Sequence, residues 1–186
     1  MTIKRALVPL AHGCEEIEAV TIIDVLRRAE IEVVAAGLEE GIVEASRGVR
    51  LQPDMTLDAA LKDDFDMLVL PGGAAGAQRL EKDERIAELA RRMLAEDRHV
   101  AAICAAPRVL VAAGVLDGRR ATSYPGHIDR QPARNMSYTE EAVVIDGRVV
   151  TSRGPGTAMD FALTLVEILA GKEKRDSVET ALLRPR

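Results

Sequence analysis

Apolar positions along the chain switch repeatedly between short unbroken runs and longer stretches spaced at three and four residues. That alternation predicts strands interleaved with helices, and hence an α/β protein with a mostly parallel sheet. Ala6 to Ala11 predicts a first strand, Ile17 to Ala29 an amphipathic helix carrying Val20, Ile23, Val25 and Leu26, and Ile31 to Ala36 a second strand. Two short apolar pieces around Ser46-Arg47-Gly48 predict an antiparallel excursion between Gly41 and Leu51. Met67 to Leu70 reads as strand, Asp83 to Glu96 as helix, His99 to Ile103 as a buried strand and Pro107 to Ala113 as the helix after it. Asp146-Gly147 between Val143-Val144-Ile145 and Val149-Val150-Thr151 is a hairpin signal. Ala158 to Leu169 and Lys172 to Leu183 close the chain as helices.

No linker, repeat or low-complexity stretch interrupts this pattern, so residues 1–186 are expected to form one domain, large enough to fold without staples. Two cysteines, Cys14 and Cys104, are too few for a disulfide framework, and the opening residues do not read as a secretory signal. The expectation is a protein of the reducing cytoplasm. No apolar run approaches the ~20 residues that span a bilayer, which argues against a membrane partner. Acidic residues outnumber basic ones, 30 to 25, and there are only two Tyr, two Phe and no Trp. Nucleic acid is therefore not expected as a primary ligand, and aliphatic side chains must supply the core.

In a parallel sheet, ligands bind beyond the carboxyl ends of the strands, so the loops there carry the candidate chemistry. Cys104 follows a buried strand and precedes small residues and a helix, the pattern of a nucleophile elbow. The helix start behind it should offer backbone donors that lower the thiol pKa. A buried core cysteine is the alternative. Pro71-Gly72-Gly73 leaves backbone amides bare after a strand, with Gly73 the candidate oxyanion donor and a plain turn the alternative. Glu15, Glu16 and Glu18 open the first helix, where the helix dipole alone would account for two of them. Spacing aligns Glu15 with Glu18 and turns Glu16 away, and at least one could face the thiol.

His12, His99 and His127 have no compact metal spacing, so no metal and no cofactor is expected. His127 lies in a loop at the same rim and could serve acid–base chemistry, with a solvated loop histidine as the alternative for it and for His12. Cys14, also in a rim loop, could act as a resolving thiol or pack as a small apolar residue.

Taken together, these residues resemble the superfamily of Parkinson disease protein 7 (DJ-one) and the PfpI-type peptidases, most closely its first branch. Lys4-Arg5-Ala6-Leu7-Val8, Glu15-Glu16 with Glu18, Leu70-Pro71-Gly72-Gly73, Ala101 to Pro107 and Thr151 to Thr157 carry the likeness. The resemblance implies a flavodoxin-like three-layer sandwich and a homodimer. It also implies Cys104 as reactive cysteine, Glu18 as the acid hydrogen-bonded to its sulfur, Gly73 and Ala105 as the oxyanion site, and Arg47 and Arg153 near the pocket and dimer contact. The peptidase branch has a histidine after its cysteine, where this chain has Ala105, which argues against an intracellular peptidase. The closest branch often has a rim-loop histidine where this chain has Tyr124.

The activity implied is a glutathione-independent glyoxalase III or deglycase acting on methylglyoxal, glyoxal or glycated groups, in stress protection. The other reading is a redox-responsive stress protein or chaperone that senses oxidants through Cys104.

Overall fold

The computed structural model describes residues 3–184. The chain runs β1 (Arg5–Leu10), α1 (Glu16–Arg28), β2 (Glu32–Gly37), β3 (Val43–Glu44), β4 (Arg50–Leu51), β5 (Met55–Thr56), α2 (Leu57–Ala60), β6 (Met67–Leu70), α3 (Ala74–Lys82) and α4 (Glu84–Ala95). It continues with β7 (His99–Ile103), α5 (Pro107–Ala112), β8 (Arg120–Ala121), β9 (Ser137–Tyr138), β10 (Val143–Asp146), β11 (Val149–Ser152), a 3₁₀ turn (Pro155–Thr157), α6 (Ala158–Ala170) and α7 (Lys172–Ala181).

Seven strands form the central sheet in the order β10-β11-β7-β6-β1-β2-β5. Every pairing is parallel except the β10–β11 hairpin. The inner strands β6 and β7 are apolar runs because helices cover both faces of the sheet, and no side of such a strand meets water. Helices α1, α6 and α7 pack together as one layer, and α3, α4 and α5 as another. Buried Leu7, Leu10, Leu68, Leu70 and Phe161 fill the space between.

The chain leaves β1 toward β2 on one side and returns to β6 on the other. That reversal opens a crevice at the carboxyl ends of β1 and β6, where open α/β sheets place their sites. The predicted excursion at Gly41 to Leu51 is the antiparallel β3–β4 pair, with Val43 opposite Leu51. The Asp146-Gly147 hairpin pairs Val143 with Ser152 through Asp146 with Val149.

Helix α3 escapes the apolar pattern, because Ala74-Ala75-Gly76-Ala77 is too small to mark a face. Its smallness is what its position demands. A Cβ on Gly76 would lie 2.7 Å from both Cα and N of Cys14, so only a glycine lets α3 press against the loop after β1. Strands β5, β8 and β9, at two residues each, are too short to show a period.

Candidate active site

Three strand ends meet in the crevice. After β1, the Gly13 amide donates to the Glu44 carbonyl at 2.8 Å and the Gly76 amide donates back to the Gly13 carbonyl at 3.1 Å, so the loop is tied to the β3–β4 excursion and to α3. After β6, Gly73 takes φ +85° as it enters α3. A side chain there would meet the Gly13 carbonyl at 2.3 Å and the Glu15 amide at 2.6 Å, so the backbone itself forms this wall. After β7, Cys104 adopts φ +63°, a left-handed conformation that costs a non-glycine residue energy and is held by its surroundings. Its amide donates to the Ser152 carbonyl at 3.0 Å, and its own carbonyl accepts the Tyr124 amide at 2.9 Å.

Cys104 retains only 9 % exposure, and Glu18, on the first turn of α1, has none. The Gly72 amide donates to Glu18 Oε2 at 2.8 Å, while Oε1 is buried with no nitrogen or oxygen donor. The carboxyl and the Cys104 thiol lie close enough for each to shift the other's ionisation. Burial pushes the Glu18 carboxyl up to about 7, against the pull of the Gly72 amide and the thiol. The Cys104 thiol is pushed up to about 12, by burial first and by the Glu18 charge second. The amides of Gly73 and Ala105 act in the opposite direction, as donors to the sulfur. The backbone donors expected behind the cysteine are thus present, but burial and the carboxylate outweigh them. Between about 7 and about 12 the pair accordingly holds one proton and one negative charge.

An open pocket of about 810 Å³ leads to the sulfur, lined by Cys104, Gly73, Ala105, Arg47, Tyr124 and His127 among others. The chain matches the DJ-1/PfpI family over residues 4–168. This chain belongs to the DJ-1/PfpI family. The crystal structure of Drosophila melanogaster DJ-1beta superimposes with a TM-score of 0.95 at 45 % identity, covering 100 % of both chains. The oxidized Toxoplasma gondii DJ-1 gives 0.91 at 40 % identity, over 98 % of this chain and 100 % of that one. The glutathione-independent glyoxalase DJR-1.2 of Caenorhabditis elegans is 38 % identical over 98 % of this chain and 95 % of its own.

The signatures in the loops after β1, β6 and β7 meet in one crevice, whereas Lys4 to Val8 opens β1 at the other end of the sheet, where Lys4 and Arg5 bind Asp66, and not every candidate residue reaches the crevice. Arg153 borders a neighbouring shallow cleft with Tyr124, Pro125 and Gly154. Cys14 is fully buried beneath the pocket loops, where burial and then Glu16 push its thiol up to about 11. His12 stands at the pocket edge, its Nδ1 accepting the Glu44 amide at 3.1 Å. The three acids divide in a way that helical spacing did not indicate. Glu15 and Glu16 both receive the Ser46 hydroxyl, at 2.8 and 2.7 Å, and Glu18 alone turns inward.

Ser46 is a pocket residue the sequence reading passed over as part of a turn. Its only signal was its place beside Arg47 in a loop facing the first helix. Among the described residues no group of three His, Cys, Asp or Glu side chains is placed to hold a metal ion. No described helix is long and apolar enough to cross a membrane.

Proposed function

We propose that this chain is a cysteine-dependent enzyme of small aldehydes, converting methylglyoxal or glyoxal to the hydroxy acid without glutathione and acting on their adducts. The observation that carries this reading is the buried Cys104–Glu18 pair beside the Gly73 and Ala105 amides. The pair's single proton has two possible homes. On sulfur, it leaves a carboxylate whose Oε1 finds no nitrogen or oxygen donor. On Glu18, it leaves a thiolate facing two backbone amides and the carboxyl O–H, and a thiolate is the nucleophile. The second placement satisfies more of the charge.

The turn at Cys104 serves as the nucleophile elbow. The sulfur adds to the aldehyde carbon, the carbonyl electron pair moves to oxygen, and that oxygen takes the proton held by Glu18. The Gly73 and Ala105 amides stabilise the developing charge, an interaction whose removal costs 10²- to 10³-fold in comparable acyl-transfer sites. The glyoxalase of Caenorhabditis elegans supports the assignment, and Ala105 in place of a histidine counts against peptidase chemistry.

Conversion of methylglyoxal to lactate without glutathione tests the reading, with native chain, Cys104→Ala and Glu18→Ala compared. Turnover by the native chain and none by Cys104→Ala is expected. Full activity in Cys104→Ala, or an inert native chain, overturns it.

A second reading, reversible oxidation of Cys104 in a stress response or chaperone role, draws support from the oxidized state of the Toxoplasma gondii relative and from the greater exposure of Cys104 than Cys14. Graded peroxide followed by mass spectrometry should modify Cys104 first. Equal modification of both cysteines removes that reading.

The proposed assembly is a cytoplasmic homodimer. Ile17 and Val20, three apart on α1, and Val49 beside β4 are exposed apolar side chains that support it. Sedimentation of the native chain against Val20→Glu checks the assembly.

A further inference from the structure

We propose that the cavity between the β2–β3 loop and the α3–α4 corner binds a free α-amino acid with an aliphatic side chain. Leu10, Leu38, Ile42 and Val43 give the cavity apolar walls, and its volume is about 270 Å³. That is below the roughly 300–1,000 Å³ of a drug-sized ligand site, so the occupant is a small metabolite. Leu10 and Val43 are buried, whereas Ile42 leaves 41 % of its surface exposed, apolar area that an aliphatic ligand would remove from water.

The charged side chains that line this cavity fall into two sets. Arg85 is taken up by Asp83 and Asp58, at 2.5 and 2.6 Å, and these form a fixed wall. Glu39, Glu40, Arg79 and Lys82 are exposed and make no ion pair among the described residues. Water is partner enough for any one of them. Together, though, they set two charges of each sign around one apolar hollow, and that pattern selects its ligand. An anion alone would gain from Arg79 and Lys82 but face Glu39 and Glu40, and a cation alone would meet the reverse. A zwitterion satisfies both sets. Arg79 Nε donates to the His12 carbonyl at 3.2 Å, which holds the guanidinium and leaves its two terminal nitrogens for a carboxylate. The ammonium group then falls to the two glutamates, and the aliphatic side chain to the apolar walls.

The site adjoins the catalytic crevice without being part of it. His12 and Arg79 line both cavities, whereas Cys104, Gly73 and Ala105 line the crevice alone. The His12 carbonyl that holds Arg79 belongs to the loop after β1, whose next residue, Gly13, is tied to β3 and to α3. Binding of the amino acid needs neither the thiol nor an aldehyde, so it stands or falls apart from the role of Cys104.

Equilibrium dialysis of the full chain against radiolabelled L-leucine tests the site, with two competitors: 4-methylpentanoate, which lacks the ammonium group, and leucinamide, which lacks the carboxylate. Native chain and Cys104→Ala should bind L-leucine with the same Kd, and each competitor should bind at least about fivefold more weakly than L-leucine, as expected when exposed charge contacts are lost. Arg79→Gln with Lys82→Gln, and Glu39→Gln with Glu40→Gln, should each weaken L-leucine by a similar factor, with circular dichroism showing that these surface variants fold. No retention of L-leucine at millimolar concentration overturns the site. So does a competitor as tight as L-leucine, native affinity in both double variants, or binding that disappears in Cys104→Ala.

Discussion

The Gly72 amide donates to Glu18 Oε2 at 2.8 Å, and the same glycine, by having no side chain, leaves the space in which Glu18 and Cys104 meet. A Cβ on Gly72 would stand 2.5 Å from the Cys104 Cβ, 2.6 Å from Glu18 Oε2 and 2.8 Å from the Ile103 carbonyl. The last of these is strand backbone and cannot yield cheaply. Gly72→Ala should therefore cost about 1–3 kcal/mol in stability as overpacking and force Glu18 off the thiol. Denaturant unfolding and methylglyoxal turnover measure the two effects. A folded Gly72→Ala with native turnover would show that the pair tolerates separation.

The pair's first proton leaves at about 7, and with it the thiolate appears if the proton that remains sits on Glu18. Alkylation of Cys104 by iodoacetamide should rise with pH up to about 7 and then level off. Glu18→Leu removes the carboxyl O–H donor and leaves a buried thiol on its own, so its levelling point should move upward. Cys14, fully buried and with its thiol pushed up to about 11, should stay unmodified throughout. Peptide mapping resolves the two cysteines. A profile that keeps climbing past pH 9 in the native chain would place the proton on sulfur.

The Cys104–Glu18 pair also makes stability depend on pH. Its first proton leaves at about 7 in the folded chain, against 4.5 for a free carboxyl, so between those values the folded state holds a proton the unfolded state has released. The stabilisation is full below about 4.5 and is lost as pH rises through about 7, a change on the order of 3 kcal/mol at the usual 1.36 kcal/mol per unit. Urea unfolding of native chain and Glu18→Gln across pH 4.5 to 8 should show the native chain losing stability relative to the variant. Parallel curves would mean the carboxylate is better solvated than its burial suggests.

Six of the seven strands of the sheet, five of the helices and both hairpins were legible because strong periods and turn residues mark them. The converging loops were legible because a parallel sheet gathers its strand ends. What stayed hidden had a physical cause in each case. Helix α3 is built of residues too small to pattern, since the loop at Cys14 comes within a Cβ's distance of it. The division of Glu15, Glu16 and Glu18 is set by Ser46, some thirty residues away in sequence, which no helical period can report. The high thiol pKa follows from burial, whereas the pattern around Cys104 announces only the turn.

Ser46 itself gives a last prediction. Its hydroxyl bridges the Glu15 and Glu16 carboxylates, and the Arg47 amide beside it donates to Glu16 Oε1 at 2.7 Å, so the turn between β3 and β4 is strapped to the start of α1. Burial raises the Glu16 carboxyl, but its own amide, the Ser46 hydroxyl and the Arg47 and Val49 amides outweigh that and hold it below the ordinary 4.5. A lowered carboxyl stabilises the fold above 4.5 and loses that contribution as pH falls through its folded value. Ser46→Ala should cost about 1–2 kcal/mol at pH 7, the worth of a hydrogen bond to a charged group at a half-buried position. As pH falls through the folded value of Glu16, the native chain and Ser46→Ala should converge, because protonation removes the charge the hydroxyl served. Since the strap also sets Arg47 at the pocket rim, Ser46→Ala should raise KM for methylglyoxal more than it lowers kcat. Unfolding at pH 7 and down through the acid limb, with steady-state kinetics beside it, decides the point, and an unchanged stability at every pH would show that the Arg47 and Val49 amides hold the turn without the serine.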